Sequence, residues 1–497
     1  MSYIWVNAGM DYITFGGISM YIKYKDRKGP FSERQYPTGY LIKLIDRELF
    51  ITKAGFKDLT TYLPMESYDY CLNMDIVGKN TVVTHNGIMF TYNDKTLKRP
   101  FSYDKNKLST FLMGDSGGFS LISGTKEFID PLDLSKWHTA YINQGMTLDL
   151  PPSYGVSDEY VLKSGLIQAK NNEILIKNCE NVELYNIAHG FNVDQLKRHI
   201  DIVDNDTMKK WAIGSSYYGN LFDLIDNIFS VIEYKKSDSY HIFGISNTKI
   251  LPLFAWIGKY YNITSDSSTP LQAGTSTIFF STIEKILKKI RVGRVDSKLL
   301  HSDKLYPYLP CSCPICNALK TSEIFIKSNN SCVLHVLLSL HNVIAMSSYT
   351  KIWDDLATNS SIKEYKKIMD SIFDKKANLW KQAIDYIEYI MEHNLEKANI
   401  KFASYFSLFS SDSIQISDFS MFNNDTMDYK KVNEQRMDKI IDNYSKYYDD
   451  DFTKKIRRNT KKIDKLESTK YAKESIGIKT GNKSNSLKKK KKKRKEE

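Results

Sequence analysis

The chain has 497 residues, 42% hydrophobic and 13% aromatic, enough for a large buried core. Its formal charge of +12 belongs to one end. Nineteen Lys/Arg against five Asp/Glu lie between Lys454 and Glu497, so the preceding residues are close to neutral. The start of the chain lacks the basic, apolar and small-residue succession of a signal peptide. The longest apolar stretch, Cys332 to Met346, is too short for a membrane span and contains His335 and His341. A soluble cytoplasmic protein with no membrane partner is expected. Six cysteines are too few for a disulfide framework in a chain of this length.

From the N-terminus to about residue 300 one pattern recurs: a short apolar run ends in a polar or glycine-containing turn, and a segment of helical period follows. Thr110–Met113 ends at Gly114-Asp115, and Met146–Leu148 at Asp149 with two prolines beyond. Leu184–Ile187 ends at His189-Gly190, Trp211–Ile213 at Gly214-Ser215, Tyr240–Phe243 at Gly244, and Tyr261–Thr264 at Asp266. Segments such as Val193–Asp204 and Lys249–Tyr260 have helical spacing between them. Strands alternating with helices imply a parallel sheet, and six such units point to a closed (β/α)8 barrel of the TIM type. An open doubly wound sheet is the alternative, but a glycine-rich dinucleotide turn near the first strand is missing.

The expected organisation is a barrel over 1–300, a zinc-binding subdomain over 301–350, a helical extension over 351–450 and a basic tail over 451–497. In the extension, Ile368, Ile372, Trp380, Ile384, Ile387 and Ile390 form an apolar stripe, read as packing. In the tail, Lys488 to Lys495 are eight consecutive cations that repel one another, so disorder is expected. Such a run can meet phosphates without reading bases, or serve as a solubility tail or a nuclear-type address.

Cys311-Ser312-Cys313-Pro314-Ile315-Cys316 brings three thiols within six residues. Thiolates at this spacing fill three corners of a zinc tetrahedron, and the fourth ligand must come from elsewhere. Cys332, His335 and His341 are the candidates downstream. Four protein ligands leave no open position, so a zinc held this way is structural.

Asp115-Ser116-Gly117-Gly118-Phe119 follows a predicted strand directly. Adjacent glycines let a backbone approach a planar ligand and present N–H groups to it. Asp149 and Asp266 also sit just past predicted strands, where barrel enzymes place their chemistry. Three converging carboxylates repel one another and raise at least one pKa, which suits a group that exchanges protons. Any one of them can instead be a helix N-cap, and Asp266-Ser267-Ser268-Thr269-Pro270 reads as a capping sequence.

The Asp-Ser-Gly-Gly-aromatic motif at Asp115–Phe119, with C-x-C-x-x-C followed by His341-Asn342, resembles the tRNA-guanine transglycosylases and their DNA-acting 7-deazaguanine relatives. The likeness covers roughly residues 75 to 345. It selects His341 as the fourth ligand of a structural zinc beside Cys311, Cys313 and Cys316. It implies that Asp266 is a nucleophile attacking C1′ of a nucleotide, with a covalent glycosyl-enzyme intermediate, and that Asp115 relays protons. It further implies that Asp149 accepts hydrogen bonds from the purine edge, that Phe119 stacks on the base, and that Gly214 faces it through its backbone. Ser116, Gly117, Gly118, His189 and Gly190 complete the implied base pocket.

The chain departs from the tRNA enzymes at several positions. Ser267–Gly274 replaces their basic recognition stretch after the nucleophile, His189-Gly190 stands for Gln-Gly, and Ser215 replaces a second glycine. The resemblance therefore implies DNA in preference to tRNA as the nucleic-acid partner, with a free 7-deazaguanine base as the second substrate. A second copy of the chain, or other proteins, are further candidate partners. A tRNA-acting transglycosylase, a hydrolytic base-removing enzyme and a catalytically silent nucleic-acid-binding subunit are the competing readings.

Overall fold

The computed structural model of the protein describes residues 1–8, 87–92, 112–152, 157–214, 221–245, 247–275, 278–283, 286–291, 331–373, 377–409 and 427–448. Cys311, Cys313, Cys316 and the cationic tail from Lys454 onward lie outside the described residues.

Parallel strands form the centre: β1 (Tyr3–Ala8), β2 (Gly87–Thr91), β3 (Leu112–Asp115), β4 (Gln144–Met146), β5 (Glu183–Ala188), β6 (Lys210–Ile213), β7 (Ser239–Ile242) and β8 (Ile263–Ser267). Each pairs with the next, and β1 also pairs with β8, so the sheet closes on itself. Closure removes both sheet edges and buries every strand on two faces. Alternate side chains then separate into two cores. Val6, Met89, Met113, Met146, Tyr185, Ile187 and Ala212 fill the interior. Their neighbours Trp5, Trp211, Tyr240 and Ile242 point outward into a larger core shared with the helices.

Helices follow each strand from β3 to β8: α1 (Gly118–Ile122), α2 (Pro131–Tyr141), α3 (Asp158–Asn178), α4 (Val193–Val203), α5 (Leu221–Tyr234), α6 (Leu251–Gly258) and α7 (Thr269–Thr275). Their starts are set by local chemistry. Asp130 accepts the Leu132 N–H at the head of α2, with Pro131 in the first turn. Asn192 accepts the Gln195 N–H at the head of α4, whose Leu196, His199, Ile200 and Val203 give the buried stripe. The segments expected at Val193–Asp204 and Lys249–Tyr260 correspond to α4 and α6.

Beyond a two-stranded antiparallel hairpin, β9 (Ile278–Ile283) and β10 (Ile286–Arg291), comes α8 (Ser331–Asn359). It carries neither glycine nor proline, so nothing interrupts it where a boundary was expected at residue 350. The Tyr3 N–H donates to Asp354 Oδ1 on α8 at 2.9 Å, tying β1 to this helix. Helices α9 (Ile362–Ile372), α10 (Ala377–Glu392) and α11 (Leu395–Phe409) follow. Trp353, Trp380 and Ile384 belong to the same buried cluster as Ile225 and Phe254 of the barrel helices, so the apolar stripe is packing. The last described helix, α12 (Met427–Tyr447), lies against α1 and α3. No described helix is long and apolar enough to cross a membrane.

Asn342 on α8 joins three segments. Its Oδ1 accepts the Phe280 N–H at 2.8 Å, and its Nδ2 donates to Ile278 O at 2.7 Å and Pro270 O at 3.2 Å. The side chain is fully buried, so truncation strands backbone groups that water cannot reach. Asn342→Ala is expected to lower the unfolding free energy by about 3 kcal/mol in urea titrations. An Asn342→Ala protein of unchanged stability would show that the clamp is dispensable.

Candidate active site

The carboxylates singled out from the sequence meet at one end of the barrel. Asp115 is the last residue of β3, Asp266 the fourth of β8, and Asp149 lies three residues beyond β4. This corrects the expectation that Asp115 and Asp266 sit just past their strands. A polar side chain fits inside a barrel strand where the interior opens at the strand's C-terminal end. Nor does Asp266 cap a helix: its carboxylate is taken by groups on β7 and the turn after it.

The Asp115–Phe119 loop is locked to Asp149. The Ser116 hydroxyl donates to Asp149 Oδ1 at 2.8 Å and accepts the Gly118 N–H at 3.3 Å. The two glycines are needed for different reasons. Gly117 has φ +79, a left-handed conformation that side chains disfavour. A Cβ on Gly118 would stand 2.5 Å from the Asp149 carbonyl and carboxylate oxygens. Phe119, 46% exposed, follows at the start of α1.

Asp149 has a second partner. His189, directly after β5, places Nε2 2.8 Å from Asp149 Oδ2, and both side chains are buried. The His189 ring fills the space over Gly214, where a Cβ would approach it to 2.2 Å. Gly214 therefore makes room for His189, whatever else its backbone faces. Gly190 is set by packing, because a Cβ there would stand 2.5 Å from the Leu196 nitrogen on α4. Behind His189 its backbone N–H donates to His199 Nδ1 at 3.4 Å. Burial, and then the neighbouring His189, push the His199 pKa well below its usual value, so this ring is neutral.

Asp266 has a matching arrangement. His241 Nε2 lies 3.2 Å from Asp266 Oδ1, and the Gly244 N–H donates to the same oxygen at 3.0 Å. Gly244 has φ +71, which turns its N–H back toward β8. Sequence reasoning missed His241. The available signal was period two: Tyr240 and Ile242 face outward, which leaves His241 facing the barrel interior.

Asp115 carries the strongest electrostatic consequence. Burial, then the nearby Asp149 charge, raise its pKa from 3.8 to about 7. Asp266 adds to the rise, while hydrogen bonds from Gly117 and Thr91 oppose it. A carboxyl group that titrates near neutrality can both give and take a proton.

Among the described residues, no three His, Cys, Asp or Glu side chains are grouped to hold a metal ion. His341, the expected fourth zinc ligand, is buried on α8, stacked on Phe279 at 4.0 Å, with Nε2 2.7 Å from Phe280 O. Donation from one ring nitrogen to a backbone carbonyl fixes the ring and its tautomer, as in metal-binding histidines. The residue thus fits a ligand role, while Cys311, Cys313 and Cys316 are outside the described residues. No family model and no curated protein matches the chain.

The Asp115 environment has a stability consequence. Because its folded pKa is raised, the folded protein keeps the proton longer than the unfolded chain does. The stability linked to this group is therefore present below about pH 4 and lost as pH rises toward 7. Asp115→Asn, neutral throughout, is expected to be more stable than the parent above pH 7, by roughly 2–4 kcal/mol. Near pH 4 the two should coincide. Urea unfolding at the two pH values measures this, and equal stabilities at pH 8 would contradict it.

Proposed function

We propose that the chain exchanges guanine in a nucleic acid for a 7-deazaguanine base, with DNA the favoured acceptor. In this reading the fold is a (β/α)8 barrel of the TIM type carrying an inserted zinc-binding subdomain. The observation that carries it is the meeting of Asp115, Asp149 and Asp266 at one barrel end, with Asp115 titrating at about 7.

The target nucleotide leaves its stack to enter the site. A carboxylate oxygen of Asp266 bonds to C1′ as the bond from C1′ to guanine N9 breaks, and the electron pair departs with the base. Asp115, protonated at the start, donates its proton to the departing guanine. The incoming deazaguanine then gives its N9 proton to Asp115 as N9 bonds to C1′, and the Asp266 carboxylate is released. Two displacements retain the configuration at C1′. Asp149, held by Ser116 and His189, accepts hydrogen bonds from the purine edge, and Phe119 offers a face for stacking. Cys311, Cys313, Cys316 and His341 would hold the zinc. It is structural, joining α8 to the cysteine loop.

Incubation with DNA or tRNA and no incoming base is expected to build a denaturation-resistant adduct. Asp266→Asn, which keeps the shape and removes the charge, should abolish it while binding survives. Nucleoside mass spectrometry of DNA and tRNA from expressing cells identifies the acceptor. An Asp266→Asn protein that exchanged guanine at an undiminished rate would remove the nucleophile assignment. With Asp115 required in its protonated form, kcat/KM should fall above about pH 7, and the Asp115→Asn variant should lose this limb.

Metal analysis is a separate test of the zinc subdomain. One equivalent of zinc is expected in the parent, and less in Cys313→Ser or His341→Ala, with a lower melting temperature. A parent protein without zinc would overturn the subdomain.

A further inference from the structure

The two donors at Asp266 fall on one oxygen. His241 Nε2 (3.2 Å) and the Gly244 N–H (3.0 Å) both address Oδ1, and no described group bonds to Oδ2. Free rotation would make the two oxygens of a carboxylate equivalent, and paired donors on one of them prevent this. The histidine is itself fixed. Its Nδ1 lies 2.8 Å from Thr264 Oγ1, on the same strand as Asp266 and two residues earlier. Its ring is fully buried, edge-on to Phe243 at 4.7 Å and to Tyr185 at 6.3 Å. Facing a carboxylate, Nε2 can only donate, so Nδ1 either accepts the Thr264 hydroxyl proton or donates to Thr264, which then turns to Tyr240 O.

We infer that His241 is a positioning residue that, with the Gly244 N–H, anchors Oδ1 of Asp266 and assigns the attack to Oδ2. This rests on the base-exchange reading and adds the atom that reacts and the group that selects it. In the glycosyl ester, Oδ2 is bonded to C1′ and Oδ1 is the carbonyl oxygen. When the incoming base displaces the ester, the bonding pair returns to Oδ2 and the negative charge spreads to Oδ1. The two donors are already in place to receive it, which is the arrangement that accelerates departure of an oxyanion. His241 therefore acts most on discharge of the intermediate. A residue that only filled the core would alter substrate affinity and adduct yield instead.

The test is single-turnover discharge, by free guanine, of adduct preformed on DNA or tRNA, with melting temperatures recorded for each variant. His241→Leu is expected to discharge about 100-fold more slowly than the parent, with the KM for nucleic acid within about threefold. His241→Gln, whose amide N–H reaches the Nε2 position, should recover at least about tenfold of that loss. Thr264→Val, which frees the ring, should slow discharge about fivefold, and it decides the matter if His241→Leu does not fold. Discharge at the parent's rate in His241→Leu, or in Thr264→Val where it decides, overturns the inference and leaves the exchange reading standing. A parent that forms no adduct with either nucleic acid overturns that reading and this inference with it.

Discussion

Like charges brought into one barrel end must be neutralised by hydrogen bonds or by a proton, because a buried carboxylate without either costs several kcal/mol. The three aspartates meet this constraint in different ways. Asp149 receives the Ser116 hydroxyl on one oxygen and faces His189 with the other. Asp266 receives His241 and the Gly244 N–H. Asp115 is left with the proton, its pKa raised by burial and by the other two. Two carboxylates facing histidines beside a third whose pKa is raised to about 7 form a group whose members differ in how readily they hold a proton. The surrounding architecture is organised around keeping those partners where they are.

Several small residues follow from that requirement. Gly118 exists because Asp149 comes within 2.5 Å of where its Cβ would be, and Gly214 because the His189 ring occupies that space. Gly190 lets the turn carrying His189 seat on α4. Closure of the barrel matters at the same level. Val6 of β1 is in register with Asp266 of β8, so residues 3–8 flank the strand that carries Asp266. The Tyr3 hydroxyl and Ser265 Oγ, 2.7 Å apart, reinforce this seam from the outer face.

Much of this was legible in the sequence. Strands β3 to β8 each end at or near a polar or glycine residue, and the resulting list of strand ends contains Asp115, Asp149, His189, Gly214 and Asp266. Strand boundaries were less legible, since a carboxylate after an apolar run reads as a turn. Only the tertiary fact of an interior opening lets Asp115 and Asp266 stay within their strands. β1 and β2 were not read, because the pairing of Tyr3–Ala8 with Ile263–Ser267 is between segments at opposite ends of the barrel sequence. His241 was hidden in an apolar stretch for the same reason: its partner Asp266 comes from the next strand. The limit expected at residue 350 falls within α8, which runs uninterrupted to Asn359 and packs on the barrel.

Helix α12 shows why the site cannot be assigned to the barrel alone. Along α12, Arg436 donates to Ile122 O, Asn443 Nδ2 to Glu127 O at 3.0 Å, and the Tyr444 hydroxyl to Ile129 O at 2.9 Å. These carbonyls belong to the segment that follows the Asp115–Phe119 loop, and irregular backbone of this kind otherwise depends on water for its hydrogen bonds. Tyr160 on α3 donates to Asp438 at 2.9 Å, so the helix is held from both sides. Just past its end, the Tyr448 hydroxyl reaches Asn171 Oδ1, and Asn171 Nδ2 in turn donates to Leu148 O, the residue before Asp149. Two side chains, Asn171 and Tyr448, thus link the residue before Asp149 to the part of the chain that the cationic stretch follows in sequence. Under the proposed base exchange, the polycation that follows in sequence would add phosphate affinity that depends on salt, and the choice of base would rest with the aspartates and histidines inside.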